Sequence, residues 1–139
     1  MNYQDQVVVL TGASGGIGSA MAKKFTDLGA KVALLDITVD RVQALADKLG
    51  LGSDRAFCAA VDVSNEESVK ATVDAIVKHF GRIDVLVNAA GIPGPSARVE
   101  DYSFSDAKKV LSVNLFGTFL MMHTVLPVMQ ARARRPSSI

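Results

Sequence analysis

The sequence predicts an α/β protein whose parallel sheet is covered by helices on both faces. Three observations predict it. Short, continuous apolar runs alternate with amphipathic stretches along the chain. A glycine-rich turn joins the first run directly to the first amphipathic stretch. Each crossover has room for a single helix, and right-handed crossovers then force the strands parallel. The doubly wound rule places them in the order 3-2-1-4.

The elements follow in turn. Val7 to Thr11 (VVVLT) is a β-branched run of the kind buried on both faces, ended by Gly12. After the turn Gly12-Ala13-Ser14-Gly15-Gly16-Ile17-Gly18, the apolar residues Ile17, Met21, Phe25 and Leu28 recur at helical spacing, and Gly29 supplies the stop. Val32 to Asp36 is the second strand. Thr38 is placed to cap a helix with the face Val42, Leu45, Ala46 and Leu49, ended by Gly50 and Gly52. The third strand lies within Arg55 to Asp62. Ser64 and Glu67 have capping-box spacing before a helix presenting Val69, Val73, Ile76, Val77 and Phe80, closed by Gly81. Ile83 to Val87 is the fourth strand, ending at Asn88. A Gly- and Pro-rich loop, Ala89 to Ser103, leads into a long helix from about Ser105 to about Ala131, its apolar positions including Val110, Val113, Phe116, Leu120, Val125 and Val128. Pro127 is expected to kink or end it.

With 139 residues and 14.7 kDa the chain is one domain by size. A hydrophobic content of 49% argues against a disordered chain, and a single cysteine, Cys58, excludes a disulfide scaffold. Mid-strand in an apolar run, Cys58 reads as a small core residue. His79 and His123 lack metal-site spacing, so no metal is expected. No unbroken run of about 18 apolar residues occurs, so no span of a bilayer is expected. The N-terminus lacks the basic segment of a signal peptide, and the expected location is cytoplasmic. The net charge is +1, but Arg132, Arg134 and Arg135 lie in the last eight residues; without them 12 basic residues face 14 acidic ones, or −2. A mildly acidic body gives no reason to expect a nucleic-acid partner.

The turn after the first strand is the strongest chemical signal. Free N–H groups at a helix start and the helix dipole favour an anion, and glycines let the backbone approach a pyrophosphate. Gly12, Gly16, Ile17 and Gly18 are the candidate backbone contacts, with the Ser14 hydroxyl as an added donor; a turn chosen only for close packing is the alternative. Asp36 ends the second strand, 24 positions after Gly12. A carboxylate there accepts from both hydroxyls of an adenosine ribose and repels a 2′-phosphate, which favours NAD over NADP; residues 13, 14 and 37 are Ala, Ser and Ile, so no neighbouring cation opposes it. Asp62 can reach an adenine amino group, with Val63 against the ring, or can simply orient the turn before Ser64. Asn88, Ala89, Ala90 and Gly91 end the fourth strand, where small residues leave room for a ribose and Asn88 can tie the turns together. All of these sit at the C-terminal ends of parallel strands, where such sheets bind ligands.

Together, Thr11, Gly12, Gly16 and Gly18 (Thr-Gly-x-x-x-Gly-x-Gly), Asp62, the Asn88–Gly91 segment and Asn114 within Val113-Asn114-Leu115-Phe116-Gly117 resemble the short-chain dehydrogenase/reductase family from about residue 7 to 130. The resemblance implies a Rossmann-type three-layer α/β/α fold, cut after the fourth strand and the long helix. It implies an NAD-dependent oxidoreductase that transfers hydride between an alcohol or carbonyl carbon and the nicotinamide, with Asn114 as one of the family's catalytic tetrad. Residues 1–131 are then a partial NAD-binding domain, and 132–139 a basic tail expected to be disordered.

The family's catalytic Ser and Tyr-x-x-x-Lys have no counterpart. Tyr3 and Tyr102 are the only tyrosines, and Val7 and Asp106 stand four residues beyond them. Little or no activity is expected of the chain alone, with an inert nucleotide-binding or scaffold protein as the alternative. Without catalysis, Asn114 reads as a polar residue satisfied inside a long helix. The change of composition after Gln130 and the missing motifs suggest a truncated or frameshifted reading of a longer gene; a natural solvated tail is the other reading. An open edge on the fourth strand and an uncovered long helix, which in the resembled family often meets another subunit, suggest self-association.

Overall fold

Four runs rich in Val, Ala and Leu form the sheet. In the computed structural model, which describes residues 2–133, they are β1 (Val7–Thr11), β2 (Lys31–Asp36), β3 (Ala56–Ala60) and β4 (Val85–Asn88). All pair in parallel in the order β3-β2-β1-β4, as the crossover argument requires. The register sets Leu10 opposite Leu34 and Val87, and Thr11 opposite Leu35 and Asn88, so the strands end level at one edge of the sheet.

Alternation along β1 divides the core between two layers. Val8 and Leu10 join Val32 and Leu34 under α1 (Gly16–Asp27) and α2 (Val39–Lys48), where Ala22, Val42 and Ala46 meet them. Val7 and Val9 face the other way, toward Val69, Val73 and Ile76 of α3 (Glu66–Phe80) and toward Met121 and Val125 of the C-terminal helix. Each fully buried Leu or Val side chain contributes roughly 1.5–3 kcal/mol.

Local details depart from the periodicity. The buried stripe of α1 is Gly18, Ala22 and Thr26, flanked by half-buried Met21 and Phe25, whereas Ile17 is 75% exposed. Small residues win this face because α1 lies close on the turn beneath it: a Cβ on Gly18 would stand 2.2 Å from the Gly12 carbonyl oxygen. Thr38 takes the N-cap position of α2 but makes no side-chain cap bond. α3 is capped by Asn65, whose side chain accepts from the Ser68 amide at 2.8 Å, rather than by Ser64 with Glu67. Ser64 turns back instead, its hydroxyl donating to Asp62 Oδ1 at 2.6 Å.

The long helix runs as α4 (Phe104–Leu111), a π-helical turn (Ser112–Phe116) and α5 (Gly117–Ala133). Its start is capped by the Ser103 hydroxyl, which accepts from the Asp106 amide at 3.1 Å. The π turn shifts the helical phase, so Phe116 faces out while Gly117 and Met121 are buried. Pro127 does not end α5, which stays docked through Val125, Val128 and Met129 and continues past Arg132 to Ala133. The rest of the basic tail, 134–139, lies outside the described residues. By length and composition alone, the helix Phe104–Ala133 contains a stretch apolar enough to cross a membrane; polar residues such as His123 and Thr124 break the run that a strict apolar criterion seeks. Its apolar character comes from two faces. One is buried against α3 and β4, and the other leaves Leu111, Leu115, Phe119, Met122 and Leu126 exposed.

At the opposite edge from the strands' C-terminal ends, Asp84 ties β4 to β1. Its Oδ2 accepts from the Val7 amide at 2.9 Å, and the Arg82 guanidinium grips both carboxylate oxygens at 2.6 and 2.7 Å. Partial burial pushes the Asp84 carboxyl up, but the bonds from Arg82 and Val7 and the charges of Arg82 and Arg132 outweigh it and hold the group below its ordinary value. A depressed folded-state pKa contributes stability above the unfolded value of about 3.9, lost as pH falls through the lower folded value. Asp84→Asn should therefore lower the urea midpoint at pH 7, and the gap to the unmodified chain should close as denaturation is repeated at successively lower pH below about 4.

Candidate functional site

The C-terminal ends of the strands open onto a cavity of about 610 Å³. Gly12, Ser14 and Gly15 line it from the turn after β1, Asp36 and Ile37 from the end of β2, Asp62 and Val63 from beyond β3, and Ala89, Ala90 and Gly91 from the exit of β4. Four features singled out in the sequence, one at the end of each strand, thus line one space.

The turn after β1 is shaped by backbone contact. Gly12 has φ +62°, and a Cβ there would lie 2.6 Å from the Ala89 carbonyl oxygen. Gly12 and Gly18 therefore serve protein packing. Gly16 differs: a Cβ there would meet no protein atom within 4 Å, so nothing in the fold itself demands glycine. The N-cap residue of α1 is Gly15, which offers no side-chain cap, and the first-turn amides are left for an anion. Gly16, Ile17 and Gly18 sit on this first turn, beyond the cavity wall.

Thr11 ties the two turns together. Its Oγ1 accepts from the amides of Ala89 and Ala90 at 3.1 and 3.2 Å and donates to the Val87 carbonyl at 3.5 Å. The sequence assigned that task to Asn88, which instead ends β4 exposed, opposite Thr11 in register. The signal was available in Thr11 itself, a buried hydroxyl at the end of a strand with no other polar neighbour in its run.

Asp36 points at the glycine turn. Its Oδ2 accepts from both the amide (3.1 Å) and the hydroxyl of Ser14, and its Oδ1 accepts from the Ile37 amide at 2.7 Å. The Ser14 hydroxyl, expected as a phosphate donor, is thus directed to the carboxylate. Burial raises the Asp36 carboxyl, but the Ser14 hydroxyl, the Ile37 and Ser14 amides and the charge of Arg41 together hold it below its ordinary value. The group is an anion throughout the neutral range, placed to accept from ribose hydroxyls and to repel a 2′-phosphate. These residues fit NAD rather than NADP.

Asp62 orients its own turn. Oδ1 accepts from the Ser64 amide and hydroxyl at 3.0 and 2.6 Å, while the Asp62 amide donates to Ser68 Oγ at 3.0 Å. Val63 is buried, and a Cβ on Gly117 would come within 2.6 Å of its Cγ2, so glycine at the start of α5 lets the helix close over the site. The sequence did not single out Arg41, Ile92, Lys109 or Ser112, which also line the cavity. Arg41 and Lys109 occupy exposed helical positions, indistinguishable in pattern from ordinary solvated charges.

Asn114 lies in the π turn and clamps the loop after β4: Oδ1 accepts from the Ile92 amide at 2.8 Å and Nδ2 donates to the Ile92 carbonyl at 2.9 Å. It is satisfied, and through this pair it fixes Gly91 and Ile92 in the cavity wall. No group of three metal-ligating side chains occurs among the described residues. Cys58 is half-buried between β3 and α2, its Sγ 3.5 Å from the Val42 carbonyl, and burial raises its thiol pKa. Removing the buried Thr11 hydroxyl leaves two amides without an acceptor. Thr11→Val should cost about 1–3 kcal/mol, and hydrogen exchange should quicken at the Ala89 and Ala90 amides; Asn114→Ala should do the same at Ile92 and leave Ala89 protected.

The comparisons agree with this geometry. A short-chain dehydrogenase family model matches residues 6–138. D-threitol dehydrogenase of Mycolicibacterium smegmatis is 43% identical over 122 residues, covering 86% of this chain and 46% of that protein. Levodione reductase of Leifsonia aquatica is 38% identical over 130 residues, covering 92% and 49%. Among solved structures, an NAD⁺-bound xylitol dehydrogenase superposes with a TM-score of 0.87 at 35% identity, over 95% of this chain and 51% of that one. The chain spans about half the length of the curated relatives it matches. The glycine turn, the Asp36 carboxylate and these matches together place the chain in the short-chain dehydrogenase family.

Proposed function

We propose that this chain is the NAD-binding half of an oxidoreductase and that it has little or no turnover by itself. The observation that carries the reading is the anchored Asp36 carboxylate, held by Ser14 at the lip of a cavity that the ends of β1, β2 and β4 share. The first-turn amides of α1 hold the pyrophosphate, with Gly16 leaving space for it and Ile17 beside it. Asp36 fixes the adenosine ribose, Asp62 and Val63 flank the adenine, and the Asn88–Gly91 segment, pinned by Thr11 and Asn114, forms the floor toward the nicotinamide. NAD, when bound, supplies a carbon that accepts or returns hydride, and the substrate class is an alcohol or its carbonyl product. Asn114 acts as a positioning residue in this half.

The missing chemistry is proton transfer. A tyrosine with an ordinary pKa of about 10 is a poor base near neutrality without a cation beside it. Tyr102 has no Lys four residues on, and Tyr3 has none either. Calorimetric titration should show NAD binding with NADP at least about tenfold weaker, and a dehydrogenase assay over secondary alcohols and carbonyls should show no turnover above background. Turnover typical of an enzyme would overturn the inactive reading, and absence of NAD binding would overturn the site.

Self-association is the second part of the proposal. The stripe Leu111, Leu115, Phe119, Met122 and Leu126 and the unpaired edge of β4 are the surfaces that support it. Light scattering should give a mass above the monomer, and Leu115→Glu with Phe119→Glu should lower it. A monodisperse monomer of the unmodified chain would refute this part.

A further inference from the structure

We propose that Gly94 and Tyr102 form a spacer that fixes how closely the segment leaving β4 lies against α4, and so sets the fit of the adenine end of the cavity. Both are positioning residues, and neither lines the cavity itself. The inference rests on the cofactor reading above and extends it to residues that act from outside the site.

Ala90, Gly91 and Ile92 line the cavity together with Ser112 and Val113 of the π turn after α4, and Asp62 and Val63 line it too. The segment that leaves β4 runs along the helix. Ile92 and Gly94 are half-buried while Gly91, Pro93 and Pro95 are exposed, the alternation of an extended segment with one side laid on a neighbour. Each inward residue meets the helical region at its own point. Ile92 is held by the Asn114 side chain through bonds of 2.8 and 2.9 Å. Gly94 is seated against Tyr102, two residues before α4, and against Val110 within it. One contact would leave the segment free to pivot about Ile92. The second, two residues on, removes the pivot.

The seat at Gly94 is steric. Gly94 has φ +68°, in the left-handed region where a side chain is strained. A Cβ there would overlap the Tyr102 hydroxyl oxygen and lie 2.6 Å from Val110 Cγ2. The segment thus approaches as closely as bare backbone allows. The Tyr102 hydroxyl forms no hydrogen bond among the described residues, so this side chain acts on Gly94 by filling space. Pro93 and Pro95 flank Gly94 and restrict the backbone on both sides. A displacement at residue 94 is therefore passed back to Ile92 and Gly91 in the cavity wall rather than absorbed between them.

The test uses the full chain with Gly94→Ala, Tyr102→Phe, both together, and Tyr102→Ala. Circular dichroism and thermal melting establish folding. Calorimetry measures NAD and AMP, which carries the adenine and its ribose without the nicotinamide. Gly94→Ala should weaken both nucleotides by a similar factor of about ten or more, the scale on which a displaced binding wall is felt. Tyr102→Phe in that background removes the atom nearest the new methyl and should recover about threefold or more, a non-additivity expected only of residues in contact. Tyr102→Ala withdraws the spacer from the other side and should also weaken both, a measurement that needs no residue 94 variant to fold. A purely structural role would lower the melting temperature and leave the affinity of the folded protein unchanged. Unchanged affinity in folded Gly94→Ala or Tyr102→Ala, a loss confined to NAD, or no recovery in the double variant overturns the proposal while NAD binding to the unmodified chain upholds the site. Failure of the unmodified chain to bind NAD overturns the site reading and this inference with it.

Discussion

The site depends on a contact between two backbones. The turn after β1 and the exit of β4 approach so closely that no side chain fits between them at Gly12, and α1 sits so low on the same turn that none fits at Gly18. Thr11 then bonds across the gap to Ala89 and Ala90. Everything chemical is built on that junction. It aims the first-turn amides of α1 outward, presents the small residues 89–91 as a floor, and brings the Ser14 amide within reach of Asp36. A bulkier residue at Gly12 would separate the two strands' exits and dissolve the cavity wall between them.

Electrostatics adds a second layer. Asp36 and Asp84 stand at opposite ends of the sheet, each with a pKa lowered by donors that outweigh partial burial. Their uses diverge. Asp84 is closed on Arg82 and the Val7 amide and spends its charge on joining β4 to β1. Asp36 is held by uncharged donors and leaves its field directed into the cavity. The same side chain is structural where a guanidinium grips it and free for recognition where its hydrogen bonds come from amide and hydroxyl donors.

The strand order and both core layers were legible because buried parallel strands are written as unbroken apolar runs, and VVVLT admits few other readings. Asp36, Asp62 and residues 89–91 could be singled out because each stands at or just past the end of a strand. The features that escaped depend on three dimensions. Ile17 has helical spacing with Met21 and Phe25, yet it falls on the outer side because Gly18 and Ala22 are the residues small enough to face the sheet. Ser64 and Asn65 are both competent caps, and only the demand of Asp62 for a hydroxyl donor decides between them. Asn114 was marked by resemblance, but its hold on Ile92 depends on a π turn that no periodicity announces.

That π turn has a consequence for how the chain tolerates insertions and deletions. An α-helix advances about 100° per residue, so one surplus residue within Ser112–Phe116 works as a phase offset between the halves of a continuous helix. Upstream, Lys109 lines the cavity; downstream, Gly117, Met121 and Val125 are buried in the core. Deleting a single residue there would restore ideal winding and swivel one half out of alignment with its target, whereas most point substitutions would leave the offset intact. The segment is therefore permissive in residue type and strict in length.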